Sequence, residues 1–409
     1  MAEATQALNI LVTGGAEGAG LATARALLQR GHKVAATACD ADGALAVRIA
    51  GALPVFPDLA RASEILSILQ MTKADAVVHA GPQYFGGAPH AAAEYASCAD
   101  QLVEYSAAVT EAAKEHRVKR FVSLSFGYLY DAGQGAAKEG DHDAHDRVYA
   151  PMLAAEACAR ESGLNGYLIR SGYIYGGHSA ATAALAEAIK GSRRLTPGDR
   201  PASWIHEDDL ASAIASLLET DSEPDGIEMI NAAANAAASP DEFSAAVSSA
   251  LGLSEPRFAS SGFLSMLREQ SLRDKLMARE IIIDSSQIRE RFAWQPRHES
   301  VESGLETTAL VWRMKDAVQA DSFYRYEDAA RSAIESFAYD VALPEPAAAQ
   351  AEPAAEVQAA PEPAPVKAAA PPPTSDGPTP WNEDEAKREE RRRRALERKA
   401  KRAAKSAGG

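Results

Sequence analysis

The chain has 409 residues, 46% of them hydrophobic, so a sizeable core is within reach, and no stretch has the roughly 18 apolar residues needed to span a bilayer. Three scattered cysteines, Cys39, Cys98 and Cys158, argue against both a disulfide framework and a CxxC metal site. The net charge of −15 is uneven: residues 381–409 hold eleven Lys/Arg against six Asp/Glu, leaving −20 on the rest, and so acidic a body argues against a nucleic-acid face there.

In chain order, apolar runs alternate with helical ones. Leu8–Thr13 reads as a strand and Leu21–Arg30 as a helix, closed by Gly31. Lys33–Ala38 is the next strand, then comes a helix over Ala62–Met71 and a short buried strand at Ala76–His79. Ala91–His116 reads as one long helix or two shorter ones. Strands at Arg120–Ser123 and Tyr167–Arg170 flank a helix around Ala150–Glu161. This alternation predicts an α/β fold: a Rossmann-type doubly wound parallel sheet with right-handed crossovers.

The composition changes near Leu343. Residues 344–380 are rich in Pro and Ala without an apolar period, which predicts a disordered linker. Residues 381–409 read as a basic, partly helical tail, with Asn382 as N-cap and Arg391–Arg394 at its centre. Its two readings are a solubility tail and an arm that contacts an acidic protein surface, RNA or anionic lipid. The N-terminus has no basic segment followed by an apolar one, so the expectation is a cytoplasmic protein with reduced thiols.

The segment Leu8–Gly20 (LNILVTGGAEGAG) has strand, Gly-rich turn and helix in the order that pyrophosphate binding requires. Glycines let the backbone approach, and free N–H groups at the helix start face the anion. Further along stand Asp58–Leu59, VVHAGP at 77–82, RFVSLS at 120–125, IRSGYIYG at 169–176, WIHEDDLASAI at 204–214 and IDSSQIRERFAWQP at 283–296. Together these motifs resemble the extended short-chain dehydrogenase/reductases, the NAD-dependent epimerase/dehydratase branch, from Leu8 to about Trp312. The resemblance implies a domain over 1–343, about 1–175 mainly dinucleotide-binding and about 176–343 mainly a smaller substrate lobe, and leaves a homodimer open.

It also implies a cofactor site of Thr13, Gly14, Gly15, Glu17, Gly18, Ala19, Gly20, Asp40, Asp58, Leu59, Ala80, Gly81, Ser123 and Tyr149, holding NAD or NADP. A lean to NAD rests on Asp40 near the end of the second strand and the lack of an Arg beside it. Glu17 stands where the family has its middle glycine, and Ser171 where it has proline. A carboxylate about 4 Å from a phosphate costs about 1 kcal/mol in water, so Glu17 either weakens binding or points outward.

The family's catalysts are Ser/Thr, Tyr and Lys, the last two four apart on a helix. The lysine matters because free tyrosine, with a pKa near 10, is only about 0.1% ionised at pH 7; a three-unit depression is worth roughly 4 kcal/mol. Tyr149 fits YxxxK up to its last position, which is Leu153, and Glu156 supports the register. Phe126 takes the Ser/Thr position, with Ser125 adjacent as a substitute. Tyr149 and Ser125 are therefore the candidate catalytic residues. His145, four before Tyr149, is a further base if the helix extends back, and GDHDAHD (140–146) reads as a solvated lid loop rather than a metal site. Cys39 reads as a buried, inert thiol. Two functions remain: an NAD(P)-dependent epimerase, dehydratase or reductase acting on a nucleotide sugar or similar small hydroxyl or carbonyl substrate, and a non-catalytic dinucleotide-binding sensor, scaffold or assembly factor.

Overall fold

A computed structural model of the chain describes residues 7–81, 89, 95–131, 135–220, 224–259 and 272–318. The chain divides into two units, Met1–Leu343 and Pro344–Gly409. The linker and basic tail expected over 344–409 lie outside the described residues.

The first unit is built on β1 (Asn9–Thr13), β2 (Lys33–Thr37), β3 (Leu53–Val55), β4 (Ala76–His79), β5 (Arg120–Phe126), β6 (Gly166–Ser171) and β10 (Ile227–Ala232). They form one seven-stranded sheet in the order β10-β6-β5-β4-β1-β2-β3, every pair parallel. Their unbroken apolar runs follow from burial on both faces. In β1, Ile10 and Val12 face α1 (Gly18–Gln29) and α7 (Glu207–Glu219), meeting Leu27, Leu210 and Ile214. Leu11 points to the opposite face, toward Ile65 and Leu69 of α3 (Ala62–Thr72) and Val109 of α4 (Tyr95–His116). Each such buried aliphatic side chain contributes roughly 1.5–3 kcal/mol. The strand order reverses between β1 and β4, and ligands of such sheets bind at the carboxyl ends of the strands at that reversal.

Between β6 and β10 the chain leaves the main sheet. It builds β7 (Tyr173–Tyr175), β9 (Ala202–His206) and β11 (Ala237–Ala238) into a second sheet, with β9 central, while α6 (Ala180–Lys190) leads to β8 (Arg194–Leu195), which pairs with β12 (Arg257–Phe258). Tyr175, Trp204 and Phe243 anchor its core, the last two stacked at 3.9 Å between ring centroids. Phe243 lies on α8 (Pro240–Leu251), whose Ser239–Glu242 capping box satisfies two helix-start N–H groups. α9 (Leu272–Met277), α10 (Ser286–Phe292) and α11 (Val301–Val318) follow.

Two boundaries bear on the site. α1 begins at Gly18 rather than Leu21, so Gly18, Ala19 and Gly20 belong to the helix. α5 (Ala150–Arg160) begins just after Tyr149, which sits in a single 3₁₀ turn, Arg147–Tyr149. Pro151 fixes the helix start there, because its missing N–H is tolerated only in a first turn.

Candidate functional site

Thr13 ends β1 and shares a 2.7 Å hydrogen bond with His79 at the end of β4, tying the two strands at the order reversal. Gly14 turns the chain at φ +65°, and its N–H donates to Thr37 Oγ1 at 2.9 Å. A Cβ on Gly14 would stand 2.8 Å from Gly81 Cα, and one on Gly15 would stand 2.6 Å from Ala36 Cβ. The turn therefore presses backbone to backbone on Gly81, which only glycine permits. Ala80 is buried beside it, its N–H reaching Thr13 O.

The helix start departs from the expected open anion site. Gly18 N–H donates to the His178 carbonyl at 2.8 Å. His178 is itself held by Glu207, through its N–H at 2.9 Å, and by Arg25, which donates to Nε2 at 2.9 Å. Glu17 is exposed at its surface, yet desolvation by the protein around it, and secondarily Asp40, push its carboxyl above the usual carboxylate range. Asp40 is the N-cap of α2 (Ala41–Ile49), accepting from Gly43 N at 2.7 Å, so the carboxylate expected at the ribose also holds a helix. Asp58 closes its own loop, accepting from Ala60 N at 3.0 Å and pairing with Arg61 at 3.1 Å, while Leu59 packs on the core. Cys39 is exposed, which corrects the expectation of a buried thiol; it follows β2 in the connection to α2, outside the core.

Beyond β4 and β5 lies a hollow of about 20 Å³, lined by His79, Gly81, Ser123, Ser125, Phe126 and Met152 among others, with space for about one water. Burial pushes His79 down to about 4. Ser125, the expected substitute for the family's Ser/Thr, donates its hydroxyl to Glu156 of α5. The reason is charge. Glu156 is buried, 3% exposed, and takes two bonds from the fully buried Arg170 of β6, at 2.8 and 2.6 Å. Ser125 supplies a further donor, as a buried carboxylate requires. Phe126 stacks on Tyr128 at 5.2 Å, and Leu153 is half-buried in the same apolar cluster, so no ammonium occupies the position four residues after Tyr149.

Tyr149 is 2% exposed and its oxygen accepts from Arg279 Nη1 at 2.9 Å. Arg279 follows α9, 130 residues away in sequence, and also donates to the carbonyls of Tyr128 and Tyr130, at 3.4 and 2.7 Å. Sequence reasoning missed this contact, and no local pattern announces it. Close by, the Tyr173 hydroxyl is buried without a hydrogen-bond partner among the described residues; burial, and next Tyr149, hold it well above the usual tyrosine range. A cleft of about 280 Å³ opens on the Arg279 side, between Gly127, Tyr130, Asp131, His142 and Glu280.

Most of the GDHDAHD loop is exposed, as expected of a solvated segment, yet it is also strapped to the fold. Asp143 reaches the buried Arg170 at 2.6 Å, Asp146 pairs with Lys275, and Ala144 is buried. His145 is exposed and precedes the 3₁₀ turn, so it does not share a helix face with Tyr149. No group of three or more His, Cys, Asp or Glu able to hold a metal exists among the described residues. No helix among them is long and apolar enough to cross a membrane.

The model of the NAD dependent epimerase/dehydratase family matches residues 10–233. Among solved structures, UDP-glucose 4-epimerase from Thermotoga maritima with UDP-glucose is similar at 20% identity and TM-score 0.60, over 75% of this chain and 99% of that one. UDP-glucose 4-epimerase from Bifidobacterium longum with NAD+ and UDP is similar at 18% and 0.61, over 76% and 99%. UDP-glucuronic acid 4-epimerase from Bacillus cereus with UDP-glucuronic acid and NAD is similar at 18% and 0.61, over 75% and 100%. At such identities the likeness establishes the fold. Among curated proteins no sequence match was found.

Proposed function

The chain belongs to the NAD dependent epimerase/dehydratase family, and on that premise we propose that it binds NAD on the Gly14–Gly20 turn. Beside Tyr149 it takes a nucleotide sugar or a similar small hydroxyl or carbonyl compound. The observation that carries this reading is the glycine cradle at the order reversal, where Gly14 meets Gly81 so closely that no side chain fits. The cradle suits a pyrophosphate. Asp40 and Asp58 would meet the adenosine end; Asp40 Oδ2 lies outside its capping bond, and Asp58 would have to share Oδ2 with Arg61. Gly18 N–H would exchange the His178 carbonyl for a phosphate oxygen. Bound NAD would supply the hydride acceptor and return the hydride. Tyr149 Oη is the chain's group for moving the substrate's hydroxyl proton.

A second reading, binding without turnover, is favoured by one observation: Leu153 is packed into apolar side chains, so the position four residues after Tyr149 carries no cation. Calorimetry with NAD separates these from failure of both. Heat with the natural chain, lost in Gly14→Val and larger or tighter in Glu17→Gly, supports the cofactor site. Conversion of UDP-glucose or UDP-glucuronic acid to an epimer or a dehydrated or oxidised product that disappears in Tyr149→Phe supports the enzyme. NAD binding without turnover leaves the second reading, and no heat with NAD or NADP at millimolar concentration overturns both.

A further inference from the structure

We propose that Arg279 replaces the family's lysine as the cationic partner of Tyr149, an inference that rests on the reading of Tyr149 as the group that meets the substrate. A phenol that exchanges protons near neutral pH needs a cation at its oxygen, because free tyrosine is almost wholly protonated there. The position four residues later cannot supply one, since Leu153 lies in the apolar cluster. Arg279 does, with Nη1 donating to Tyr149 Oη at 2.9 Å and its guanidinium carbon 5.3 Å from the ring centroid. The carbonyls of Tyr128 and Tyr130 fix the plane of the guanidinium.

A purely structural Arg279 would need only those two carbonyls. Two observations point past that role. The same side chain lines the 280 Å³ cleft, so the cation runs from open space to the buried Tyr149 oxygen. Tyr173, 3% exposed, has a buried hydroxyl with no hydrogen-bond partner among the described residues, within electrostatic reach of both Tyr149 and Arg279. Arg279 acts through Tyr149 and is a positioning residue. A guanidinium stays protonated, so it holds charge and moves no proton. Tyr149 Oη would take the proton of a substrate hydroxyl while the hydride on the same carbon would go to bound NAD, and both would return when the carbonyl is reduced again. Unlike the lysine, which shares a helix with its tyrosine, this cation arrives on a separate segment after α9. The pair therefore exists only when that segment is docked.

The test uses the full chain with NAD and UDP-glucose or UDP-glucuronic acid. Arg279→Met should lower kcat about 100-fold, the scale of acid–base catalysis, with little change in KM or in NAD calorimetry. Arg279→Lys should recover part of the loss. Adding Leu153→Lys to Arg279→Met returns a cation to the helix and should bring kcat back within about tenfold of the natural chain. In the Tyr149→Phe background Arg279→Met should add no further loss, because residues acting as a unit are non-additive. Equal losses in both backgrounds, or an unchanged kcat, would overturn the proposal. So would a natural chain that binds NAD and sugar nucleotide yet turns over only once Leu153→Lys is present; in that case the binding reading stands and Arg279 does not replace the lysine. If neither ligand binds, both readings fall.

Discussion

Gly14 and Gly31 have left-handed backbones, at φ +65° and +88°, but different surroundings. A Cβ on Gly31 meets nothing within 4 Å, whereas one on Gly14 meets the Gly81 backbone at 2.8 Å. Gly31→Ala should therefore cost about 1 kcal/mol of strain. Gly14→Ala should add an overpacking cost of about 1–3 kcal/mol, and urea midpoints of the two variants give the difference. His79 makes a second residue-scale prediction. Burial lowers its folded value from 6.5 to about 4, so between those pH values the unfolded chain binds a proton that the folded chain does not. Stability is then greatest above pH 6.5 and falls as pH drops toward 4, by roughly 3 kcal/mol for this group. His206, lowered to about 3, adds to the same trend. His79→Asn should flatten the slope of unfolding free energy against pH in that window; an unchanged slope would remove His79 from the acid response.

At the scale of elements, α5 and β6 are joined by charge. Arg170 is wholly buried on β6, with its carbon 4.3 Å above the Tyr130 ring, and it depends on Glu156 of α5 and on Asp143 of the strap. Removing one member of a buried pair leaves the other uncompensated, so Glu156→Ala should cost about 3–5 kcal/mol. Asp143, a third exposed, should cost less, as solvent screens it. Denaturant unfolding of Glu156→Ala and Asp143→Ala tests the ranking. If both cost the same, the strap rather than the helix carries Arg170. The register glutamate was legible in the sequence. Its partners were not, because the pattern fixes spacing along α5 and says nothing of which strand lies across from it.

For the whole molecule, the composition break at Leu343 coincides with the boundary between the two units. Ending the chain at Leu343 should leave unfolding free energy within about 0.5 kcal/mol of the full chain and NAD affinity unchanged. Binding of an acidic partner, tested at rising salt, should be lost with residues 381–409 and otherwise weaken steeply as salt screens the excess charge. A truncated chain that aggregates or melts early would show that the core needs the remainder. By itself the sequence determined what neighbours in the chain can determine. Apolar runs without a polar face require strands buried on both sides, the glycines after β1 mark a turn with no room for a side chain, and Leu153 after Tyr149 marks a broken motif. Only the tertiary structure decided which distant groups meet these features. The His178 carbonyl reaches Gly18, Glu156 captures Ser125, and Arg279 reaches Tyr149. A hydrogen-bond donor has no preferred partner in sequence, and the packing of helices on the sheet brings one within about 3 Å.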